Sequence, residues 1–336
     1  QDIEVLIQMK IMFMGTPDFA VFSLKALYES GEDICAVVTQ TDKPKGRSYT
    51  LTPPPVKVYA ESIGVPVYQP KTLRTEEFAE LLARIDPELI VVIAFGKILP
   101  QNVLDYPKYG CVNVHGSLLP EYRGAAPMQR AIIDGKKQTG ITIMYMDAGI
   151  DTGDMLLKRS VPILENDNFE NVHDKLGAVG AEALLEALKL LKDGKLVREK
   201  QDDSLASYAA KIEKEDCVID FSRSAETVHN LVRGLSPIPL AFTHTPDGKL
   251  LKVLCSEVVP EDKAAELVKK CAENGRTLAC GEVATLAIPG EKTGKIIVKC
   301  GDGFVAFTKL LPEGKGRMSA ADLVNGRRIA AGDVLS

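Results

Sequence analysis

Several stretches of this chain carry residue types whose spacing could do chemistry. The first is Asn113-Val114-His115, followed by Gly116-Ser117-Leu118-Leu119-Pro120. In an extended segment residues i and i+2 face the same way, so the Asn113 amide and the His115 imidazole project together. The imidazole can take or give a proton near neutral pH, and the amide can donate to an oxygen that gains negative charge. The same pair could equally do no more than satisfy loop backbone. The second stretch, from Asp147 through Asp151 to Asp154, holds those three carboxylates with Gly149 and Gly153 between them. It lacks the glycine and glutamate positions of an EF-hand loop. One carboxylate beside His115 would favour the charged ring and fix its tautomer, while surface turns are the plainer reading.

Two basic stretches suit anions. Lys43, Lys45, Arg47 and Lys57 lie within residues 39–58, where only Asp42 opposes them. A connection of that length exceeds the usual two to six residues between strand and helix, which points to function, though a solvated loop would look the same. Near the end, Lys315, Arg317, Arg327 and Arg328 could meet phosphates or only water. Met14-Gly15-Thr16-Pro17-Asp18 reads as a tight turn into a helix. It has no G-x-G-x-x-G and no acidic residue at the end of the next strand, so a dinucleotide site is not expected. His173, His229 and His244 have no evident partners and are assigned no chemistry.

The elements that must position these residues follow from apolar periodicity. Residues 10–14, 34–39, 89–94, 111–115 and 140–146 read as strands. Residues from 17 onward, 56–63, 75–84, 127–134 and 169–192 read as helices. The run Leu89-Ile90-Val91-Val92-Ile93-Ala94 is apolar on both faces, as in a central parallel strand. The βαβα order predicts an α/β fold, a Rossmann-like open parallel sheet with helices on both faces, placing residues 113–120 at the carboxyl end of a strand. Beyond residues 204–212 the apolar runs shorten and alternate (252–255, 281–287, 295–299, 303–310), the pattern of a small antiparallel barrel or sandwich. Residues 260–275 read as a charged helical insert.

The chain has 336 residues. Domains commonly run to roughly 150 residues, so two are expected. The expected boundaries are 1–203 for a catalytic domain, 204–213 for a linker and 214–336 for a second domain. Residues 1–8 are expected to precede a natural start at Met9. Apolar residues make up 45% and charged residues 26%. Those shares are ordinary for a soluble globular chain with its own core. No apolar run is long enough to span a membrane, and nothing at the start resembles a secretory or transit segment. The net charge of −5 argues against bulk binding of nucleic acid but leaves room for a local basic track. Seven scattered cysteines without a C-x-x-C pair predict buried thiols in a reducing cytoplasm and no structural metal.

Taken together these segments resemble the methionyl-tRNA formyltransferases, within the folate-dependent formyltransferases. The resemblance runs from about Met9 to the C-terminus. It is carried by GTPDFA, Gly46-Arg47 with the later PPPVK, VVIAFGKILP, CVNVHGSLLPEYRGAAPMQRAI, TGITIMYMDAGIDTGDML, SYAAKI and RMSAADLVNGRR. It implies a Rossmann-like catalytic domain and a C-terminal domain like an oligonucleotide-binding (OB) barrel. The donor it implies is 10-formyltetrahydrofolate, and the acceptor is the α-amino group of methionine on initiator tRNA. Asn113, His115 and Asp151 match the family's catalytic trio. Ser117, Leu118, Leu119 and Pro120 match its folate-contacting loop, and Arg47 matches the arginine that engages the tRNA acceptor end. No metal is implied, and a cytoplasmic bacterial monomer is expected. Two features depart from the family's pattern: Ser-Tyr-Thr-Leu-Thr follows Arg47 where relatives carry lysines, and the helical insert at 260–275 is long. The alternatives are a formyltransferase acting on an amino sugar or a glycinamide, a formyltetrahydrofolate hydrolase, and a non-catalytic tRNA-binding module that would tolerate loss of His115.

Overall fold

The structure is a computed structural model that describes residues 8–45, 50–288, 290 and 294–336. Its contacts divide it into two units. One runs to Pro127 and adds Thr139–Val161 and His173–Ala209; the other gathers Met128–Gln138, Pro162–Val172 and Ala210–Ser336. No helix among the described residues is long and apolar enough to cross a membrane.

Along the chain come β1 (Ile11–Gly15), α1 (Asp18–Glu29), β2 (Ile34–Val38), β3 (Lys43–Lys45), β4 (Thr50–Thr52), α2 (Pro55–Ser62) and β5 (Val67–Tyr68). Then follow α3 (Glu76–Ile85), β6 (Leu89–Ile93), α4 (Gln101–Leu104), β7 (Cys111–His115), β8 (Arg123–Gly124) and α5 (Pro127–Ile133). β9 (Gln138–Tyr145), β10 (Met155–Pro162), α6 (Phe169–Lys192) and β11 (Tyr208–Ala209) complete this stretch. The main sheet has the order β10-β9-β7-β6-β1-β2-β5. β1 and β6 are buried at every position, as central strands covered on both faces must be. β1 runs parallel to β2 and β6, β2 to β5, and β6 to β7.

The Rossmann-like reading holds, but the sheet is not parallel throughout. β9 runs antiparallel to β7, with His115 opposite Thr142 and Val112 opposite Tyr145. Apolar periodicity marks a strand and not its direction, which is why the sequence could not distinguish these cases. The connection read as a basic loop is partly a ribbon in which Lys43 pairs with Thr52 and Pro44 with Leu51. Lys57 is not free for an anion, because its Nζ lies 3.0 Å from both Asp42 carboxylate oxygens and from Gln69 Oε1.

Helices form where periodicity and caps agree. At α3 the Thr75 hydroxyl accepts from Phe78 N, and Phe78 and Leu82 are the face it buries. Before α6, Asn168 and Asn171 each accept a hydrogen bond from the other's backbone N–H. Along α6, Val172, Leu176, Leu184 and Leu188 are buried. Each such side chain contributes about 1.5–3 kcal/mol. The segment 204–213, expected as a linker, contains β11, which pairs with β8.

The second unit holds α7 (Ala225–Leu235), β12 (Ala241–His244), β13 (Leu250–Val258), α8 (Glu261–Glu273), β14 (Val283–Thr285), β15 (Ile296–Lys299), β16 (Phe304–Pro312), β17 (Met318–Ser319) and α9 (Ala320–Asn325). Its antiparallel sheet has the order β12-β13-β16-β15-β14, with β17 on β16, and curls into a half-barrel where a small OB-like barrel was expected. Val232, Leu235, Val253, Val298 and Phe307 form part of its core. The charged insert is α8, which buries only Leu267.

No element was expected at α7, because its buried face is partly polar. His229, Asn230 and Arg233 are all buried there. Arg233 donates to Asn230 Oδ1 at 2.8 Å and to the carbonyls of Leu164 and Asp167 at 3.0 and 2.9 Å. His229 has partners after all: Ser256 Oγ at 2.9 Å and the Glu165 carbonyl at 3.3 Å. His173 also has them, in Asp174 and Asp18. Burial pushes the His229 pKa down from its ordinary 6.5, and the nearby Arg233 charge adds to this. A depressed histidine binds its proton more readily in the unfolded chain, so its contribution to stability is full above about 6.5 and is lost as pH falls further. Urea unfolding between pH 7.5 and 5.5 should therefore show a falling free energy, with a shallower fall in His229→Gln.

The cysteines are all free. Burial pushes Cys111 and Cys300 up to about 12. The expectation of buried thiols fails at Cys255 and Cys280, which are exposed.

Candidate active site

β7 ends where the sequence placed a site. Alternation along the strand puts Cys111, Asn113 and His115 on one face, with Val112 and Val114 on the other. The His115 ring is buried at 6% exposure, and Asn113 is half-buried beside it. Among the described residues the Asn113 side-chain amide makes no hydrogen bond to protein. A half-buried amide without a protein partner is free to donate to a ligand.

The imidazole is held from both sides. Its Nε2 lies 2.9 Å from the Tyr122 carbonyl oxygen. A carbonyl only accepts, so Nε2 carries the proton. Nδ1 lies 3.5 Å from Asp151 Oδ2. That is longer than an ordinary N–H···O bond, so Nδ1 is the ring nitrogen not committed to a backbone carbonyl. The Asp151 carboxylate, 16% exposed, also accepts from Gly124 N at 2.8 Å through the same Oδ2.

Of the three carboxylates in the acidic loop, only Asp151 reaches the ring among the described residues. Asp147 turns into its own loop, accepting from Gly149 N at 3.0 Å and from the Thr152 hydroxyl at 2.6 Å. The loop is shaped by close backbone contact. A Cβ at Gly153 would fall on the Tyr145 carbonyl oxygen.

The loop after His115 is built from inside. Ser117 is fully buried and its hydroxyl donates to the Glu121 carbonyl at 2.6 Å. The Thr142 hydroxyl donates to Ser117 O at 2.7 Å and accepts from Leu119 N at 3.0 Å, tying this loop to β9. Leu119 is buried against Met144 and Met155, while Leu118 and Pro120 remain half-exposed. Arg47 lies outside the described residues.

Several parts of the site had no signal in the sequence. Tyr122 acts through its carbonyl and Gly124 through its N–H, so side-chain type does not reveal them. Tyr122 and Asp151 both adopt left-handed backbone, at φ 60° and 55°. Each such residue costs about 1–3 kcal/mol and persists only where neighbours hold it. Ser207 Oγ accepts from Tyr122 N at 2.8 Å, and Gln201 donates to the carbonyls of Asp151 and Gly153, both at 2.8 Å. The β8–β11 pairing brings together residues that lie far apart in the chain.

In the second unit, Lys315, Arg327 and Arg328 from the basic tail line a cavity of about 600 Å³, together with Asp247, Glu313 and Asp333. Arg317 is not among its lining residues.

Known proteins resemble the chain over nearly its whole length. The family model described as "Formyl transferase" matches residues 9–188, and "Formyl transferase, C-terminal domain" matches residues 211–328. The methionyl-tRNA formyltransferase of Geotalea uraniireducens is 47% identical over 327 residues, covering 97% of this chain and 98% of that one. That of Caldanaerobacter subterraneus is 47% identical over 328 residues, covering 97% of this chain and 100% of that one. Among solved structures, an N-formyltransferase from Helicobacter canadensis in complex with folinic acid and dTDP-3-aminofucose matches with a TM-score of 0.61 at 18% identity. That match covers 89% of this chain and 98% of the other, and a likeness at this identity speaks to the fold alone. HypX from Aquifex aeolicus matches with a TM-score of 0.63 at 18% identity, covering 97% of this chain and 49% of that one. With two domain models in order and full-length relatives at nearly half identity, the chain belongs to the methionyl-tRNA formyltransferase family.

Proposed function

We propose that this chain transfers the formyl group of 10-formyltetrahydrofolate to the α-amino group of methionine on initiator tRNA. The observation that carries the reading is an Asn113 amide with no protein partner among the described residues, on the strand whose last residue, His115, has Nε2 on the Tyr122 carbonyl and Nδ1 3.5 Å from the Asp151 carboxylate. The donor supplies an activated formamide, and the acceptor amine attacks its carbon as the neutral base. An α-amino group titrates at about 8, and esterification lowers this, so the neutral form is available near pH 7.

Asn113 donates to the formyl oxygen as negative charge develops on it. His115 takes the proton of the attacking amine at Nδ1, forming an imidazolium that Asp151 stabilises, and returns it to the leaving nitrogen N10. The new N–C bond replaces the N10–C bond, and the proton count balances. The Ser117, Leu118, Leu119 and Pro120 loop is assigned to the folate; its tie to Thr142 supports this by holding the loop in one shape directly after His115. Arg47 is assigned to the tRNA acceptor end. Lys315, Arg327 and Arg328 are suited to backbone phosphates. The enzyme so read works in the cytoplasm as a monomer and needs no metal for this chemistry.

The test is transfer of labelled formyl from 10-formyltetrahydrofolate to Met-tRNA, comparing initiator with elongator by acid-gel shift. Formylation confined to the initiator supports the proposal. Formylation of an amino sugar instead, or release of free formate, would move the acceptor to a small molecule or to water.

A further inference from the structure

We infer that Gln201 is a positioning residue for the reaction, acting through Asp151; the inference rests on the role proposed for Asp151. Gln201 enters from the segment after α6, fixed on both sides. Two residues before it, Glu199 exchanges backbone hydrogen bonds with Met155 at 2.8 and 2.9 Å. Downstream, Ser207 and β11 bind residues 122–124. Between these anchors the side chain spans the active loop.

Its hydrogen bonds use the amide's capacity fully on the donor side. Nε2 has two N–H groups, and they go to the carbonyls of Asp151 and Gly153 at 2.8 Å each. Oε1 accepts from Arg123 Nε at 2.9 Å, and Arg123 is held in turn by Asp203 at 2.7 Å. A flipped amide would set its oxygen against two carbonyls and its nitrogen against a guanidinium, so the orientation is unambiguous. Asp151 stands in left-handed backbone at φ 55°. That conformation needs external restraint. Gly124 N restrains the carboxylate and Gln201 restrains the backbone, so the two fix the direction from which the carboxylate meets His115. Gln201 makes no hydrogen bond to His115 among the described residues, and its link to the ring runs through Asp151.

The experiment measures kcat and KM for donor and tRNA in full-length Gln201→Ala and Gln201→Glu, each in the native and in the Asp151→Asn background. Removing a group that orients a metal-bound side chain typically costs about 10–100-fold, and by analogy a fall in kcat of that size is expected for Gln201→Ala. KM for both substrates should stay within about twofold, as expected of a residue that acts through Asp151 and not on the substrates. Gln201→Glu keeps the volume and the Arg123 contact but cannot donate, so it should fall with the alanine variant. In the Asp151→Asn background, whose asparagine tolerates left-handed backbone, either change should lower kcat by less than about twofold further. Equal losses in both backgrounds, or normal kcat in either single variant, would overturn the inference. Thermal midpoints of Gln201→Glu guard against unfolding: a lowered midpoint with native kcat per folded molecule also overturns it. If Asp151→Asn alone turns over normally, the trio reading fails and takes this inference with it. That outcome is distinct, because it needs no Gln201 variant.

Discussion

His115→Ala should lower kcat by about 10²–10⁴-fold, the usual cost of losing a positioned acid–base group. Asn113→Ala should lower it by about 10²–10³-fold, the cost of one donor to a developing oxyanion. Neither change should unfold the protein. The Asn113 amide has no protein partner to orphan among the described residues, and the backbone of β7 is held by β6 and β9 whatever the side chain. The His115 substitution removes one bond to the Tyr122 carbonyl, in a segment still pinned by Ser207. Donor binding measured by fluorescence quenching should survive in both variants. The two losses should also differ with pH. The Asn113 deficit is flat, since an amide does not titrate, whereas the residual His115→Ala rate should rise with pH as hydroxide and buffer bases replace the imidazole. Native turnover by either variant would remove that residue from the reaction.

Gly153→Ala should cost both stability and turnover. Its Cβ would occupy the position of the Tyr145 carbonyl oxygen, a backbone atom fixed at the end of β9. The Tyr145 backbone cannot easily yield, because its N–H donates to the Asp154 carbonyl at 2.9 Å and closes the loop. The chain must therefore move at residues 151–153, carrying Asp151 away from His115. Overpacking of this kind costs about 1–3 kcal/mol, and a misplacement of about 1 Å in a catalytic group costs about 10²-fold in rate. Urea unfolding and steady-state kinetics on one preparation read both. Gly194→Ala is the control. Gly194 has a left-handed φ of +66° but nothing within 4 Å of a Cβ. It should lose about 1 kcal/mol of stability and keep its kcat. Native kcat in Gly153→Ala would mean that the acidic loop does not set the site.

The candidate site was legible in the sequence where its side chains stand on a regular element. Asn113 and His115 share a face because a strand alternates with period two, and β7 spans the very residues the apolar pattern marked. The antiparallel course of β9 was not legible, because an apolar strand looks the same in either direction. Nor was α7, whose buried polar face defeats a reading based on apolar spacing.

The amino-acid sequence by itself determined which chemical groups are present, the local elements that carry them and the family resemblance. Those features are written in short runs, within reach of backbone periodicity and capping. The family resemblance singled out Asp151, but only the tertiary structure brought its carboxylate to 3.5 Å from His115 Nδ1 and set Nε2 against the Tyr122 carbonyl. It also recruited a carbonyl, a backbone N–H and the Gln201 amide. The bonds Gly124–Asp151 and Gln201–Asp151 join residues 27 and 50 positions apart. Such pairings arise from sheet order and from left-handed turns that close only when distant segments meet, and no local pattern records them.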